Sequence, residues 1–150
     1  MSDEVLSQED RRLLAAVLDE VIPPDPSGRL PGAGEAGVAA HIEAVLQRQP
    51  ELQPIIAAGL KGLAAAAGER GCRFEDLPAD RRRELVSDQG FLFLLIFHGY
   101  AGYYQLPRVL ESLGLEPRPP HPQGYPMGAD DWSLLEPVRR RKPFWRAVGR

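Results

Sequence analysis

The chain has 150 residues, of which 43% are hydrophobic and 26% are charged, and its formal net charge is −3. These values are ordinary for a soluble globular protein of one domain, and the slight negative charge argues against a general affinity for nucleic acid. The single cysteine, Cys72, excludes an intramolecular disulfide and any metal cluster held by cysteines alone. The first residues, MSDEVLSQEDRR, lack the positive charge and apolar core of a signal peptide and contain no twin-arginine export motif. We therefore expect a cytoplasmic protein.

The first predicted helix begins at Ser7, whose hydroxyl can accept a backbone amide hydrogen bond, with Asp10 near the positive end of the helix. Apolar residues then recur at helical spacing: Leu13, Leu14, Val17, Leu18, Val21 and Ile22. Pro23 and Pro24 end this helix because neither has an amide hydrogen to donate. Residues 23–34, PPDPSGRLPGAG, are predicted to form a loop of defined shape, stiffened by its prolines and bent by its glycines.

Three more helices are predicted between this loop and the middle of the chain, over residues 35–47, 50–67 and 79–87. The second of them is expected to turn five apolar residues inward: Leu52, Ile55, Ile56, Leu60 and Leu63. Phe74 and Leu77 are expected to hold a short connection before the third. The run RRRE in the third helix is interpreted as a solvated face.

The longest apolar stretch is FLFLLIFHGYAGYYQLP, from Phe91 to Pro107, which begins with seven consecutive apolar residues. A segment that is apolar on every side is expected to be surrounded by the rest of the molecule, and this one is too short and too polar to span a bilayer. A buried strand could explain its first seven residues alone, but Gly99, Ala101 and Gly102 favour a helix that another backbone can approach closely. We therefore predict an all-α fold, a single-domain helical bundle around a buried central helix at about residues 91–105.

A short helix is predicted from Pro107 through Leu113, and the character of the chain changes after it. We divide the chain into a helical domain, residues 1–114, and an extended arm, residues 115–150, because EPRPPHPQGYPMG is too rich in proline to be helical. The arm has a net charge of +3, whereas the helical domain has a net charge of −6. The arm is expected to pack against the domain or a partner through its large aromatic side chains: Tyr125, Trp132, Phe144 and Trp145.

The three histidines, His41, His98 and His121, match no local metal-binding motif. His98 lies in the apolar stretch beside three tyrosines, Tyr100, Tyr103 and Tyr104. Two interpretations stay open: a satisfied histidine among core and interface tyrosines, or a ligand pocket in which His98 has an acid–base role. The sequence contains no phosphate loop, dinucleotide fingerprint, haem attachment motif or nucleophile elbow. It therefore assigns no catalytic, cofactor-binding or metal-binding residue.

Two separated stretches carry a resemblance to a known family. The first is LLAAVLDEVIPPDPSGRLPGAGEAGVAAHIEAVL, residues 13–46, and the second is GYAGYYQLPRVLESLG followed by PHPQGYPM, within residues 99–127. The segment GLKGLAAAAGERGCRFEDLP, residues 59–78, fits between them. In this order and spacing they resemble the gluconate 2-dehydrogenase subunit 3 family, the small subunit of flavin-dependent sugar and sugar-acid dehydrogenases.

The resemblance implies a small subunit that carries no cofactor of its own. It implies assembly with a large FAD-containing subunit of the glucose–methanol–choline oxidoreductase type, often together with a cytochrome c subunit that takes the electrons. The family's small subunit also supports export through a twin-arginine signal, which this sequence lacks. The expected contact surfaces are the arm and the loop that begins with Pro23, Pro24 and Asp25. Two rival interpretations are a stand-alone enzyme or small-molecule binder with a pocket near His98, Tyr100 and Tyr104, and a homo-oligomeric structural protein.

Overall fold

The computed structural model describes residues 5–87, 89–117 and 129–142, and the chain forms two compact units, residues 1–118 and 119–150. Within the described residues there are seven α-helices and no strand, so the prediction of an all-α fold is confirmed. The helices are α1 (Gln8–Val21), α2 (Val38–Arg48), α3 (Gln53–Gly68), α4 (Ala79–Ser87), α5 (Leu92–Tyr103), α6 (Pro107–Ser112) and α7 (Glu136–Arg139).

The helix at the centre of the first unit is α1, which contacts α2, α3, α4 and α5. It begins as predicted, with the Ser7 hydroxyl accepting a hydrogen bond from the Asp10 amide, and it ends before Pro23. One face is buried through four residues: Leu13, Leu14, Val17 and Leu18. This amphipathic helix turns its apolar face inward and organises the core.

The predicted central helix is present as α5, but the prediction that it is enclosed on every side is wrong. It packs on α1 and α2 and buries only four of its residues: Leu95, Gly99, Gly102 and Tyr103. On its opposite side Phe93 is 73% exposed and Phe97 is 62% exposed. Apolar composition on all sides of α5 therefore does not correspond to its complete burial by the described residues of the first unit.

Two other helices differ from the prediction at their N-terminal ends. α2 begins at Val38 rather than residue 35, because turns occupy residues 33–37 and Gly37 has a φ of +84°, which glycine adopts at little steric cost. A 3₁₀ turn, Pro50–Leu52, precedes α3. Ile55, predicted to point inward, is 45% exposed, whereas Ile56, Leu60 and Leu63 are buried as predicted.

The basic run of α4 is solvated with one exception. Arg82 Nε donates to Glu20 Oε1 on α1 at 2.6 Å, and its Nη1 donates to the Leu77 carbonyl at 2.9 Å. Phe74 and Leu77, the two apolar residues of the connection before α4, are buried as predicted. Arg82 thus fastens α4 to α1, which the interpretation of the basic run as a solvated face did not anticipate.

The second unit contains a 3₁₀ turn, Trp132–Leu135, that continues into α7. The Asp131 carboxylate begins the turn by accepting a hydrogen bond from the Ser133 amide at 3.0 Å, and the hydrogen bonds from Ser133 lower the pKa of Asp131. Neither the turn nor α7 has a buried residue. The proline-rich part of the predicted arm, with Tyr125, and the terminal Phe144 and Trp145 lie outside the described residues.

Candidate partner-binding surface

The exposed side of α5 carries a continuous apolar surface, which we call the aromatic face. It consists of five residues: Phe93, Ile96, Phe97, Tyr100 and Tyr104. Their spacing of three or four residues places them in one stripe along the helix. All five are at least 40% exposed, and the rings of Tyr100 and Tyr104 lie 5.9 Å apart. With roughly 200 Å² per aromatic residue, the face exposes on the order of 500 Å², near the upper end for the largest apolar patch of a monomer.

The opposite side of α5 is held rigidly against α1 and α2. A Cβ added at Gly102 would lie 2.8 Å from Cγ of His41 on α2, so the two helices touch closely at this point. A Cβ added at Gly99 would lie 3.5 Å from Leu18 on α1, an ordinary contact distance. The buried side of α5 is therefore closely packed against α2 at Gly102 and makes an ordinary contact with α1 at Gly99.

A groove runs along one edge of the aromatic face, between α1, α4 and α5. We call it the α4–α5 groove; its volume is about 310 Å³. Five apolar or aromatic residues line it: Val21, Val86, Leu92, Ile96 and Tyr100. Its charged lining is Glu20 and Arg83, whose Nε lies 3.6 Å from Glu20 Oε2. The groove is thus an apolar trough with an ion pair at its rim.

The loop after α1 has the defined shape that its prolines and glycines predicted. The Asp25 amide donates to the Leu30 carbonyl at 2.9 Å, and the Gly28 amide donates to the Asp25 carbonyl at 2.8 Å. The Ser27 hydroxyl donates to the Asp25 carboxylate and is the largest cause of its lowered pKa. Pro23 and Pro24 are exposed and Asp25 is half-buried, so these three candidate contact residues are accessible.

Two side chains from the helices hold the C-terminal half of this loop. Tyr103 is 1% exposed and its hydroxyl donates to the Pro31 carbonyl at 2.7 Å. Asp19 Oδ1 on α1 accepts hydrogen bonds from the amides of Gly34 at 2.7 Å and Glu35 at 3.2 Å. Burial is the largest cause of the raised pKa of Asp19, which these two hydrogen bonds lower and the charges of Glu35 and Glu20 raise. Asp19 could not be singled out from its local sequence, since an acid on an amphipathic helix is usually solvated.

The tyrosines of the apolar stretch separate into different environments. Tyr103 is buried against the loop, whereas Tyr100 and Tyr104 belong to the aromatic face. His98 is half-buried off this face, and its ring meets the Phe97 ring edge-on at a centroid distance of 5.0 Å. Tyr100 lines the α4–α5 groove, but His98 and Tyr104 do not.

His41 on α2 is affected by the charge of His98 on α5. Burial is the main cause of the lowered pKa of His41, and the positive charges of His98 and Arg48 lower it further. No group of three or more histidine, cysteine, aspartate or glutamate side chains in the described part of the chain could hold a metal ion. Cys72 lines a separate cavity of about 750 Å³ together with Arg12, Lys61 and Arg73.

The model of the family described as Gluconate 2-dehydrogenase subunit 3 matches residues 8–89, more than half of the chain. The chain belongs to this family. No curated protein and no solved structure matches it.

The family match extends from the first residue of α1 to just beyond α4. It therefore includes the loop fastened by Asp19 and the α1–α4 contact made by Glu20 and Arg82. The aromatic face on α5 follows directly after the matched segment. In this member of the gluconate 2-dehydrogenase subunit 3 family, the matched helices hold α5 with its apolar side outward. None of the described helices is both long and apolar enough to cross a membrane.

Proposed function

We propose that this chain is a non-catalytic small subunit that binds and stabilises a large FAD-dependent oxidoreductase subunit. The partner would be of the glucose–methanol–choline type and act on a sugar or polyol. FAD would be held by the partner rather than by this chain, and a cytochrome c subunit would take the electrons in the same assembly. Membership of a dehydrogenase subunit family supports a role within an assembly.

The observation that carries this proposal is the aromatic face of α5. Phe93 and Phe97 are among the most exposed large apolar residues of the first unit, at 73% and 62%. Large aromatic side chains lose little conformational entropy on binding, and they are enriched at the centres of protein interfaces while charged residues are depleted there. The segment from residue 91 to residue 107 contains no aspartate, glutamate, lysine or arginine. This pattern is typical of an interface centre.

Binding of this kind stabilises a partner by mass action, without any chemistry in the small subunit. A ligand that binds only the folded partner stabilises it by about 2.7 kcal/mol when its free concentration is about 100 times the Kd. The helix that carries the aromatic face is already formed and packed on α1 and α2 before binding. A preformed surface of this kind avoids the loss of conformational entropy that lowers the affinity of many interfaces.

The test is purification of the tagged chain from its native host, with partners identified by mass and flavin measured by visible absorbance. The proposal predicts a stoichiometric large flavoprotein in the eluate. The chain purified alone should be colourless and should oxidise no sugar with an artificial electron acceptor. Stoichiometric flavin in the isolated chain, or a stable homo-oligomer that excludes other proteins, would contradict the proposal.

A further inference from the structure

The α4–α5 groove has charged side chains at its rim in addition to its apolar lining, so a binding partner has to match both features. The Glu20 carboxylate faces two arginines: Arg82 Nε at 2.6 Å from one oxygen and Arg83 Nε at 3.6 Å from the other. The Glu20 side chain is 9% exposed and the Arg82 side chain is 27% exposed, whereas the Arg83 side chain is 69% exposed. Arg82 is the inner partner, held additionally by the Leu77 carbonyl.

Arg83 therefore lies at the rim of the groove, farther from the Glu20 carboxylate than Arg82 is. Its distance to Glu20 is longer than a direct hydrogen bond, and Glu20 is the only carboxylate among the described residues that line the groove. Arg82 is the direct partner of Glu20, whereas most of the Arg83 side chain remains exposed at the rim. A guanidinium binds a carboxylate well through its planar array of N–H donors.

The floor of the groove is apolar directly beside this charge. Leu92, Ile96 and Tyr100 are spaced four residues apart on α5, and Val86 on α4 faces them across the groove. A volume of about 310 Å³ is enough for one or two large apolar side chains. The groove is also continuous with the aromatic face, since Ile96 and Tyr100 belong to both.

We infer that the α4–α5 groove receives an amphipathic helix of the large subunit. The apolar side chains of that helix would contact Ile96 and Tyr100, and one of its carboxylates would bind Arg83. The aromatic face alone is smaller than the roughly 800 Å² that each side of a standard interface contributes. Since the face and the groove form one surface, a partner that binds the face extends into the groove to reach that area. An acidic residue next to apolar residues on one helix face complements both features of the groove. This inference rests on the proposed function and adds the place and chemistry of contact.

The test uses the large flavoprotein that co-purifies with the wild-type chain, separated and then titrated with full-length variants. Ile96→Asp places a charge on the groove floor, and Ile55→Asp is its matched control, since Ile55 is exposed to a similar extent on α3 and lies outside the groove. Arg83→Glu reverses the rim charge, and Arg81→Glu reverses a charge on the same helix that pairs with Glu84 instead. Far-ultraviolet circular dichroism of each variant verifies that its helix content is retained.

We expect Ile96→Asp and Arg83→Glu each to weaken binding by roughly tenfold or more, and both controls to stay within about threefold of wild type. The wild-type Kd should also rise more steeply with salt than that of Arg83→Glu, because only the wild type forms the ion pair.

If the flavoprotein binds wild type, Ile96→Asp and Arg83→Glu equally, the groove assignment is wrong while the proposed function stands. If no flavoprotein co-purifies with wild type, the proposed function itself fails. If Ile96→Asp loses helix content, Arg83→Glu and its control decide the matter, since Arg83 is on the surface.

Discussion

The hydroxyl of Tyr103 donates a hydrogen bond of 2.7 Å to the carbonyl oxygen of Pro31, 72 residues earlier in the chain. This bond is buried and joins the last turn of α5 to the loop that follows α1. The two candidate contact regions, the aromatic face and the loop of residues 23–34, are therefore parts of one connected structure. Tyr103, on the side of α5 opposite to the aromatic face, fixes the position of the loop relative to that face.

Tyr103→Phe should destabilise the protein without changing its fold. The substitution removes the donor and leaves the buried Pro31 carbonyl without this partner, which costs about 1–3 kcal/mol. Urea unfolding followed by circular dichroism measures the change. The matched control is Tyr104→Phe, which removes the hydroxyl of an exposed tyrosine and should change the free energy of unfolding by less than about 0.5 kcal/mol. Equal effects of the two substitutions would contradict the role given to the Tyr103 hydroxyl.

Two glycines of α5 should respond oppositely to alanine. At Gly102 the added Cβ would lie 2.8 Å from Cγ and 3.0 Å from Cβ of His41, so the helices must move apart. Overpacking of this kind costs about 1–3 kcal/mol. At Gly99 the nearest atom is Leu18 Cδ2 at 3.5 Å, so alanine fits and should gain about 0.5–1 kcal/mol of helix stability. Thermal unfolding of both variants gives the comparison, and a destabilised Gly99→Ala would show that the α1–α5 contact is tighter than described.

Asp19 should make the stability depend on pH in a definite direction. Burial raises its pKa above the ordinary value of 3.8, the Glu35 and Gly34 amide hydrogen bonds lower it, and the Glu35 and Glu20 carboxylates raise it. Since the folded state binds this proton more tightly than the unfolded state, the contribution of Asp19 is most favourable at low pH and is lost as pH rises through the folded-state pKa.

Asp19→Asn tests this sign, because the asparagine side-chain oxygen can still accept the Gly34 amide hydrogen bond but carries no charge. The free energy of unfolding of the variant minus that of wild type should be larger at neutral pH than near pH 4. Urea unfolding at several pH values between these limits measures the difference. A relative stability that increases as pH falls would contradict the assignment.

The sequence predicted those features that depend on local chemistry. The Ser7 cap, the stop at Pro23 and the start of α6 at Pro107 follow from hydrogen-bonding capacity within a few residues, and all three are present. The exposure of Phe93 and Phe97 could not be predicted in this way. A side chain that a partner would cover is as apolar as one that the same chain covers. The prediction from a segment that is apolar on every side therefore assigned both residues to the core. Arg82 and Asp19 were missed for a related reason, since their partners lie far away in sequence.

The C-terminal segment from Arg139 onward is expected to contribute to partner binding, because it combines basic residues with Phe144 and Trp145. Truncation after Pro137 should keep the helix content of the first unit and weaken binding to the flavoprotein. Circular dichroism and a binding titration on the same preparation measure the two properties. Loss of helix content on truncation would mean that the segment belongs to the folded core, and unchanged affinity would remove it from the interface.

The most direct test of the account is the affinity of the flavoprotein for a Phe93→Asp/Phe97→Asp double variant. Both residues are exposed, so the variant should fold, and it places two charges at the centre of the aromatic face. The control is Ile55→Asp/Leu113→Asp, which adds the same two charges at exposed apolar positions outside α5. If the aromatic face is the centre of the interface, the first variant should lose about 100-fold or more in affinity, which corresponds to about 2.8 kcal/mol, and the control should change little. Wild-type affinity in the Phe93→Asp/Phe97→Asp variant would contradict the account.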